Sequence, residues 1–559
     1  MNFDFSYIDT AFINGKVITV NARDEIEEAV GIKGNQIVFV GKTKELISLT
    51  DSDTKVIDLH GKTLMPGLID SHFHPILAGL INPEPDSPII DTFFENCKNL
   101  KELLDLIRKA CLLKKPGEWI SMMGYEPMDF PEKRHPTIEE LDEAAPENPV
   151  HCMHCGGHIC MYNTKALAYL NVYEPDDARN YPKDEVEVVD GKLTGLVRGH
   201  THFWLWGQVP YSQEQQKKAA LKSQLHGLSN GITSIHDCGE FGKVSYHMMQ
   251  KLCNEGIFKI RTYMMLHSVI GKPVSKIENQ RYIELGLMSG LGDAHFKIGG
   301  SKFMIDGGSG APSCATREPY SHDAGLPRER GWEREEVADY IDYINDADCQ
   351  ATAHAMGDLA IEFMVEGYEK VLAKNPKTYL RHRIEHCALV DQDLVDRIAA
   401  CKVVPTINPG MLTTIGANYT KFYGDRMGYM IAARSMIDAG IPVSIASDYP
   451  SGPVGMATID GAVNRYDRVS GFQNDKTQCI SVLEAIRCAT YNGAFASHEE
   501  NIKGSIEMGK LADLIVLSQD ILSVPLEQVG DIKVEMTMID GHIEYEIESE
   551  GLKAASEFK

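Results

Sequence analysis

Eight short apolar segments, separated by longer amphipathic stretches, constrain the fold of this chain more than any other feature. In chain order they read LIDSHFH, GITSIHD, FKIRTYMMLH, SKFMID, QATAH, YLRHRIEH, KVVPTIN and PVSIASD. Stretches with helical spacing, such as REEVADYIDYINDA and DLVDRIAAC, lie between several of them. Eight strands alternating with helices predict an α/β fold, a TIM-type (β/α)8 barrel with its site at the carboxyl ends of the strands. A doubly wound sheet is the alternative, and it would gather polar residues at one switch point.

The two ends of the chain have a different pattern. Residues 8–62 and the C-terminal stretch VEMTMIDGHIEYEI contain short alternating segments with Asn-Gly or Asp-Gly turns. We therefore expect residues 1–62 plus 500–559 to form one composite β-sandwich domain and residues 63–499 to form the barrel domain. About 150 residues separate the first two barrel segments, which is far longer than a usual βα connection. This predicts an insertion, about residues 80–225, that acts as a lid or substrate subdomain.

Charge and cysteine usage limit the partners and the compartment. The chain has 559 residues and a formal net charge of −25, which disfavours nucleic acid and anionic membrane surfaces. Its thirteen cysteines show no disulfide framework, the N-terminus lacks an apolar leader segment, and no run of apolar residues is long enough for a membrane span. We expect a reduced, cytoplasmic protein that acts on a small molecule.

Metal-ligating residues stand at the ends of the predicted strands. His72 and His74 close the first strand, and side chains at positions i and i+2 of a strand point to the same face. An isolated buried histidine is more often an ordinary core residue, but further candidate residues end later strands: Lys302, His354, His386 and Asp448. Several imidazoles with a carboxylate suit zinc, with manganese, iron or nickel as alternatives.

These motifs resemble a known family. HFHP, SDYP and the tail GSIEMGKLADLIVL look like the amidohydrolase superfamily, and GGHICMYNTKAL, SKFMIDGGSGAPS, AHAMGD and HRIEH are similar to its YtcJ-like branch, which includes N-substituted formamide deformylases. The resemblance implies one or two divalent ions per subunit, most simply zinc, and a homodimer. The ligands that it implies, each at the matching position of this chain, are His72, His74, Lys302, His354, His386 and Asp448.

Lys302 falls where many relatives carry a lysine carboxylated by carbon dioxide, which bridges two metals. An ammonium group has only donors and cannot ligate, whereas a carbamate is a bidentate anion. An uncharged amine ligand is a further possibility. The structural alternative is a salt bridge to Asp306, four residues on, with a single metal in the site.

The chemistry that follows is metal-dependent hydrolysis of a non-peptide C–N bond, in an amide, an N-acyl or N-formyl amine, or a cyclic amide. A metal lowers the pKa of its water toward about 7 and polarises the substrate carbonyl, so the nucleophile is metal-activated hydroxide. By resemblance, Asp448 is both a ligand and the catalytic base that returns the proton to the leaving nitrogen.

Two other functions remain open. The first is a mononuclear deaminase on the same barrel, but deaminase relatives carry a glutamate three residues after the fifth-strand histidine, where this chain has Gly357 and then Asp358. The second, from another class, is a non-catalytic descendant of the family. Such proteins typically lose ligands, whereas every expected position here carries a competent residue.

Other residues are candidates for contact with the substrate or with the ligands. His158, in Gly-Gly-His, is predicted to be catalytic and to contact the substrate carbonyl, and the further predicted substrate contacts are Asp237, Asp306, Gly307 and Gly308. Asp358 and Glu385 are predicted to orient the ligand histidines. The C-x-x-C pair in HCMHCGGHIC lacks a partner motif, which argues against structural zinc, and the second His-x-His, at His200 and His202, is interpreted as a pocket wall.

Overall fold

The computed structural model describes residues 8–93, 96–182, 185–239, 243–267, 281–310, 312–326, 328 and 331–547. At its centre is one sheet of eight strands, in which every neighbouring pair is parallel. Barrel strands 1 to 8 are, in chain order, Leu68–Phe73, Ile232–Asp237, Arg261–Leu266, Phe296–Met304, Ala351–Ala355, Arg383–His386, Val404–Ile407 and Ser444–Ile445.

The sheet closes on itself through the turn that follows strand 8. The backbone N–H of Asp448 donates to the His72 carbonyl at 2.9 Å, and the N–H of His74 donates to the Tyr449 carbonyl at 3.1 Å. Strand 1 and the end of strand 8 are thereby joined. The predicted TIM-type barrel is confirmed, and the doubly wound sheet is excluded.

Helices lie between the barrel strands and after the last one. Local sequence explains their ends, as where the Ser212 side chain accepts from the Gln215 N–H and the Gln215 side chain reaches back to Ser212. These helices are Gln213–Ser229, Lys243–Asn254, Arg334–Asp346, Asp358–Lys374, Gln392–Cys401, Leu412–Tyr423, Ala433–Asp438, Met456–Asn464, Val482–Cys488 and Tyr491–Ala496. In the part of the chain that the structure describes, none of the helices combines the length and the apolar character that a membrane crossing requires.

A mixed sheet of seven strands lies in the insertion between barrel strands 1 and 2. Its strands, in sheet order, are Val186–Val189, Lys192–Arg198, Ile159–Tyr162, Val150–His154, Ile120–Tyr125, Ile89–Asp91 and Ile81–Asn82. The helices of this region are Pro75–Leu80, Leu100–Leu113, Ile138–Ala144, Thr164–Leu167 and Gly199–Trp206. The insertion between barrel strands 1 and 2 therefore contains its own sheet and helices.

The N-terminal part of the chain forms one further sheet alone and shares a second sheet with the C-terminal part. One has the order Gln36–Gly41, Ala29–Lys33, Thr10–Ile13 and Lys55–Asp58, and the other has the order His542–Glu546, Val534–Ile539, Leu514–Leu517, Thr63–Pro66, Lys16–Ile18 and Ile26–Glu27. Phe12 and Val30 of the first sheet share one apolar cluster with Leu64, Leu514 and Met538 of the second. Residues 1–7 and 548–559 of the predicted composite domain lie outside the described residues.

The remaining elements are short. They are the helix Thr43–Ile47, the pair Tyr466–Asp467 and Phe472–Gln473, and the 3-10 turns Ala168–Leu170, Pro175–Asn180, Thr378–Leu380, Pro409–Met411, Gly424–Tyr429 and Leu526–Asp531.

Candidate metal centre

Three of the predicted ligand residues meet at the carboxyl end of the barrel. One ligand atom each of His72, His386 and Asp448 lies within 4.8 Å of the other two. The His72 and His386 rings are buried, with centroids 4.4 Å apart. Because the carboxyl ends of parallel strands meet at one end of a barrel, groups that are far apart in the sequence converge there.

His72 is contacted on both ring nitrogens. Its Nδ1 lies 2.7 Å from Glu385 Oε2, and its Nε2 lies 3.1 Å from Lys302 Nζ and 3.4 Å from Asp448 Oδ1. Burial, followed by the positive charges of Lys302 and His386, lowers the pKa of His72 well below its usual range. We assign the proton of the neutral ring to Nδ1, where it is donated to Glu385. The lone pair of Nε2 then points into the cluster.

Asp448 joins the two histidines of strand 1. Its Oδ1 also lies 3.3 Å from His74 Nε2. Burial alone would raise the pKa of Asp448, but the hydrogen bond from His74 and the attraction of the His386 and His72 rings in their protonated forms outweigh it and lower the pKa below its usual range. An ionised carboxylate is therefore available as a ligand or as a proton acceptor.

His354 and His386 lie side by side, with ring centroids 4.5 Å apart. The Nδ1 of His386 is 2.8 Å from Asn408 Oδ1, so Asn408 fixes the ring. The Nε2 of His354 is 3.2 Å from the carbonyl oxygen of Gly307. His354 therefore borders the cluster, while its Nε2 is directed at the loop after strand 4.

Lys302 is buried and projects from strand 4 toward His72. Its predicted alternative partner, Asp306, instead accepts from three backbone amides, those of Ala315 at 3.0 Å, Met356 at 3.0 Å and Gly357 at 2.8 Å. Burial nevertheless raises the pKa of Asp306 to about 7. Asp306 therefore holds together the loops that follow strands 4 and 5.

Two cluster residues have left-handed backbone conformations. The φ angle is +70° at His386 and +59° at Asp448. For residues other than glycine such a conformation costs about 1–3 kcal/mol and persists where the surroundings impose it. Both residues lie where a strand turns away from the barrel, so the bend directs their side chains over its end.

The donor set fits a divalent metal. Neutral imidazoles and an ionised carboxylate are the ligands that zinc and related ions take in proteins. Glu385 behind His72 and Asn408 behind His386 have the positions of partners that orient ligating histidines. The arrangement is that of a metal centre at the mouth of a barrel.

Sequence comparison decides the family. The amidohydrolase family model matches residues 55–545. The chain belongs to the amidohydrolase family. It is 27% identical to the N-substituted formamide deformylase of Arthrobacter pascens, over 96% of this chain and 98% of that protein. It is 26% identical to YtcJ of Bacillus subtilis (strain 168), over 95% and 98% of the two chains.

A solved structure agrees with this membership. An uncharacterized metal-dependent hydrolase from Pyrococcus horikoshii OT3 superposes with a TM-score of 0.71 at 22% identity, over 92% of this chain and 99% of that one. Likeness at this identity establishes the fold. Family membership makes this chain a metal-dependent hydrolase that acts on C–N bonds.

The amidohydrolase places His158 of the insertion against the barrel cluster. The His158 and His354 rings are 5.0 Å apart, and His158 Nδ1 is buried without a hydrogen-bond partner among the described residues. Burial lowers the pKa of His158 to about 4. The ring is therefore neutral, with one nitrogen available for a bound molecule.

The other predicted substrate contacts are engaged within the protein. Asp237 is buried at the end of strand 2 and accepts from the Gly239 N–H at 2.9 Å, and burial raises its pKa to about 7. The Gly308 N–H donates to Ser313 Oγ at 3.0 Å. The Gly307 carbonyl contacts His354, and Asp306 accepts from backbone amides, as described above. These four residues therefore stabilise the loops around the cluster. Substrate contact by any of them stays a prediction.

The two acids predicted to orient ligands have different surroundings. Glu385 contacts His72, as described, and its Oε1 accepts from Thr352 Oγ1 at 2.6 Å. Asp358 begins a helix and accepts from the Arg317 N–H at 2.8 Å. Asp358 is thereby tied to the loop that carries Arg317, and its orienting role stays a prediction.

Sequence reasoning missed a buried arginine inside the barrel. Arg383 Nη2 donates to Glu385 Oε2 at 3.1 Å and to the Ser71 carbonyl at 2.8 Å, and Nη1 lies 2.8 Å from His236 Nδ1. Arg383 lies two residues before Glu385 and therefore on the same strand face. That spacing in HRIEH was the available signal. Asn408, at the end of strand 7, was missed although it ends an apolar segment.

Proposed function

We propose that this amidohydrolase cleaves the C–N bond of a small-molecule amide, either an N-acyl or N-formyl amine or a cyclic amide. The observation that carries the proposal is the convergence of His72, His386 and Asp448 at the end of the barrel. Similarity to the formamide deformylase along nearly the whole chain supports this substrate class.

The residues that would hold the metal share one location around the barrel mouth. We propose zinc, with one or two ions per subunit, and the ligands His72, His74, Lys302, His354, His386 and Asp448. Lys302 would ligate as a carbamate, since its protonated form has no lone pair to offer. When bound, the metal would lower the pKa of its water and polarise the substrate carbonyl.

The protein's own groups would then move the proton and hold the substrate. Asp448, ionised and near both strand-1 histidines, accepts a proton at a carboxylate oxygen and returns it to the leaving nitrogen. The unpartnered Nδ1 of His158 is positioned for the substrate oxygen. Because His158 belongs to the insertion, we propose that the insertion, about residues 80–225, covers the site and excludes water.

Metal analysis and a substrate panel test this function. Purified protein is assayed for metal content and then for hydrolysis of N-formyl amines, N-acyl amines and cyclic amides, with ammonia release from nucleobases measured in parallel. We expect amine or amino-acid products in the first panel. Ammonia release from nucleobases alone would instead indicate the deaminase, and no turnover by metal-loaded protein would favour the non-catalytic class.

Matched variants connect the activity to the cluster. Asp448→Asn removes the proton acceptor with little change in volume, whereas Asp53→Asn changes an exposed carboxylate near the terminal sheets. We expect the first variant to lose activity while it stays folded, and the second to resemble wild type. Equal activity in both would contradict the role of Asp448.

The bridging role of Lys302 has a separate test. If Lys302 is a carbamate, the number of bound metals depends on carbon dioxide. Protein loaded with and without bicarbonate should differ in metal content, and Lys302→Ala should bind the lower number in both conditions. Homodimerisation and a cytoplasmic location remain expectations that sedimentation and cell fractionation can address.

A further inference from the structure

A second cluster of metal-ligating side chains lies in the insertion, outside the barrel. One ligand atom each of His151, Cys160 and His202 lies within 4.8 Å of the other two, and all three side chains are buried. They come from the strand Val150–His154, the strand Ile159–Tyr162 and the helix Gly199–Trp206. The function proposed above uses none of these three residues.

Strand register explains the convergence. In the antiparallel pairing His151 faces Tyr162 and Met153 faces Cys160, which places His151 and Cys160 on the same face. Cys152 pairs with Met161, and both belong to a different apolar cluster on the other face. The C-x-x-C spacing is therefore incidental, because Cys152 points away from the group.

Hydroxyl groups orient both imidazoles. His151 Nδ1 is 2.7 Å from Ser121 Oγ, and His202 Nδ1 is 2.8 Å from Tyr162 Oη. Ligating histidines are typically fixed in this way through the second nitrogen. His151 Nε2 is buried and has no hydrogen-bond partner among the described residues. A buried nitrogen without a partner is costly, and a bound cation would satisfy it.

We propose that His151, Cys160 and His202 bind one thiophilic cation, Cu⁺ or Zn²⁺, separate from the barrel centre. A thiolate with two imidazoles is a ligand set for these ions. Binding replaces the Cys160 thiol proton, which leaves to solvent, by the metal–sulfur bond. His202 Nε2 lies 3.2 Å from the Gly157 carbonyl, so one nitrogen of His202 exchanges its present contact for the ion.

Charge favours the monovalent ion. Within the described residues the group contains no aspartate or glutamate, and Cys160 supplies its single negative charge on deprotonation. Cu⁺ with one thiolate is neutral, whereas Zn²⁺ leaves a net positive charge in a buried site, which is costly. Metal bonds of about 2.0–2.3 Å require the three side chains to close in slightly on the ion.

The ion would fix the turn that carries His158. Cys160 follows His158 by two residues, and the helix that carries His202 packs against His158 through Phe203. Phe203 packs between the two, with its ring 4.9 Å from that of His202 and 5.6 Å from that of His158. The effect on substrate binding rests on the proposed function, whereas the binding of the ion does not.

Metal counting on the full-length protein tests the site. Stripped protein is loaded anaerobically with Cu⁺ in one arm and with Zn²⁺ in another, and bound metal is counted for wild type, Cys160→Ala and Cys152→Ala. We expect wild type and Cys152→Ala to retain one more Cu⁺ than Cys160→Ala. If the Cys160-dependent site bound Zn²⁺ and not Cu⁺, the result would support the site and overturn the proposed preference for Cu⁺. Equal metal content in all three proteins in both arms would overturn the proposal.

A spectroscopic measurement tests the thiolate ligand directly. Co²⁺ bound to a thiolate gives a sulfur-to-metal charge-transfer absorption, which the nitrogen and oxygen ligands proposed for the barrel centre do not produce. Cys238 Sγ lies within 4.8 Å of ligand atoms of His72 and Glu385, so the band is assigned by its loss in Cys160→Ala and not by its presence alone. We expect this band in wild type, with loss in Cys160→Ala and in His151→Phe. A wild-type protein without the band, or a band that persists in Cys160→Ala, would overturn the assignment. Neither readout depends on hydrolysis, so a failure of the proposed function is detected separately.

Discussion

Replacing Glu385 by glutamine tests how the barrel interior holds its metal ligand. In the wild type, the carboxylate faces His72 Nδ1 at 2.7 Å and Arg383 Nη2 at 3.1 Å through Oε2, and Thr352 Oγ1 at 2.6 Å through Oε1. Glutamine keeps the shape but offers one acceptor in place of two, and its amide hydrogens face donors. Loss of such a partner typically weakens metal binding by about 10–100-fold, or about 1.4–2.8 kcal/mol at 1.4 kcal/mol per tenfold.

The same substitution should lower the stability of the protein. It leaves Arg383 as a buried cation without its anionic partner, which costs about 3–5 kcal/mol. Arg383 keeps its hydrogen bond to the Ser71 carbonyl, so we expect the lower end of that range. Thr352→Val is the matched control, because it removes one hydrogen bond to Glu385, worth about 1 kcal/mol, without changing the charge.

Two measurements check these numbers. Metal affinity is measured by competition with a chelator of known affinity, and the free energy of unfolding by denaturant titration of the metal-free proteins. We expect a large loss of metal affinity in Glu385→Gln and a change of no more than a few-fold in Thr352→Val. If Glu385→Gln bound metal within twofold of wild type, the tether between Glu385 and His72 would have no energetic role and the reasoning would be refuted.

Three further changes test other parts of the structure. His158→Ala should lower kcat/KM by about 100-fold or more, the cost of losing an oxyanion donor, with metal content unchanged; an unaltered kcat/KM would exclude contact with the reacting carbonyl. The pKa of His154 is raised well above its usual range by Cys155 and by Glu126, despite the opposing effect of burial. Glu126 Oε2 lies 2.9 Å from His154 Nε2. Protonated His154 therefore contributes to the free energy of unfolding, fully below about pH 6.5, and the contribution is lost as the pH rises through the folded-state pKa of His154. We expect the wild type to lose more unfolding free energy between pH 6 and 9 than Glu126→Gln. Arg261→Met should cost about 3–5 kcal/mol in denaturant unfolding because it strands the buried Asp513, and Asp513→Leu in the same protein should recover part of that loss.

Strand ends are the part of the site that the sequence predicts best. His72, His386 and Asp448 each follow a short apolar segment, and a barrel brings all such ends to one rim, so a correct fold prediction already groups them. The resemblance to amidohydrolases selected the same residues independently. Placement within the group is less predictable, as the direction of His354 toward Gly307 shows.

Contacts across the barrel interior could not be predicted in the same way. The partner of Glu385 depends on strand register, since Thr352 belongs to strand 5 and Ser71, which contacts Arg383, belongs to strand 1. A buried arginine is rare enough that hydrophobic patterning assigns such a position to the surface. Asp358 begins a helix and accepts from the Arg317 N–H, and its predicted role in orienting a ligand histidine stays a prediction.

Strand register adds information about the insertion motifs that spacing alone lacks. HCMHCGGHIC suggested a C-x-x-C pair, yet the strand pairing sends Cys152 to one face and His151 to the other. The third member of the group, His202, comes from a helix about forty residues later in the chain. The group exists only in the folded sheet, so a linear motif search cannot find it.

Closure of the barrel and assembly of the site are the same structural event. Strand 8 has only 2 residues, and the backbone bonds that join the turn after it to strand 1 involve the proposed ligands His72, His74 and Asp448 themselves. If strand 1 separated from the turn after strand 8, the side chains that would share a metal would also separate. An ion bound to side chains of both segments would therefore oppose that separation. A ligand that binds only the folded state stabilises it by about 4.1 kcal/mol when present at a thousandfold excess over its Kd. A metal held by the proposed ligands on both sides would therefore help to keep so short a last strand in place.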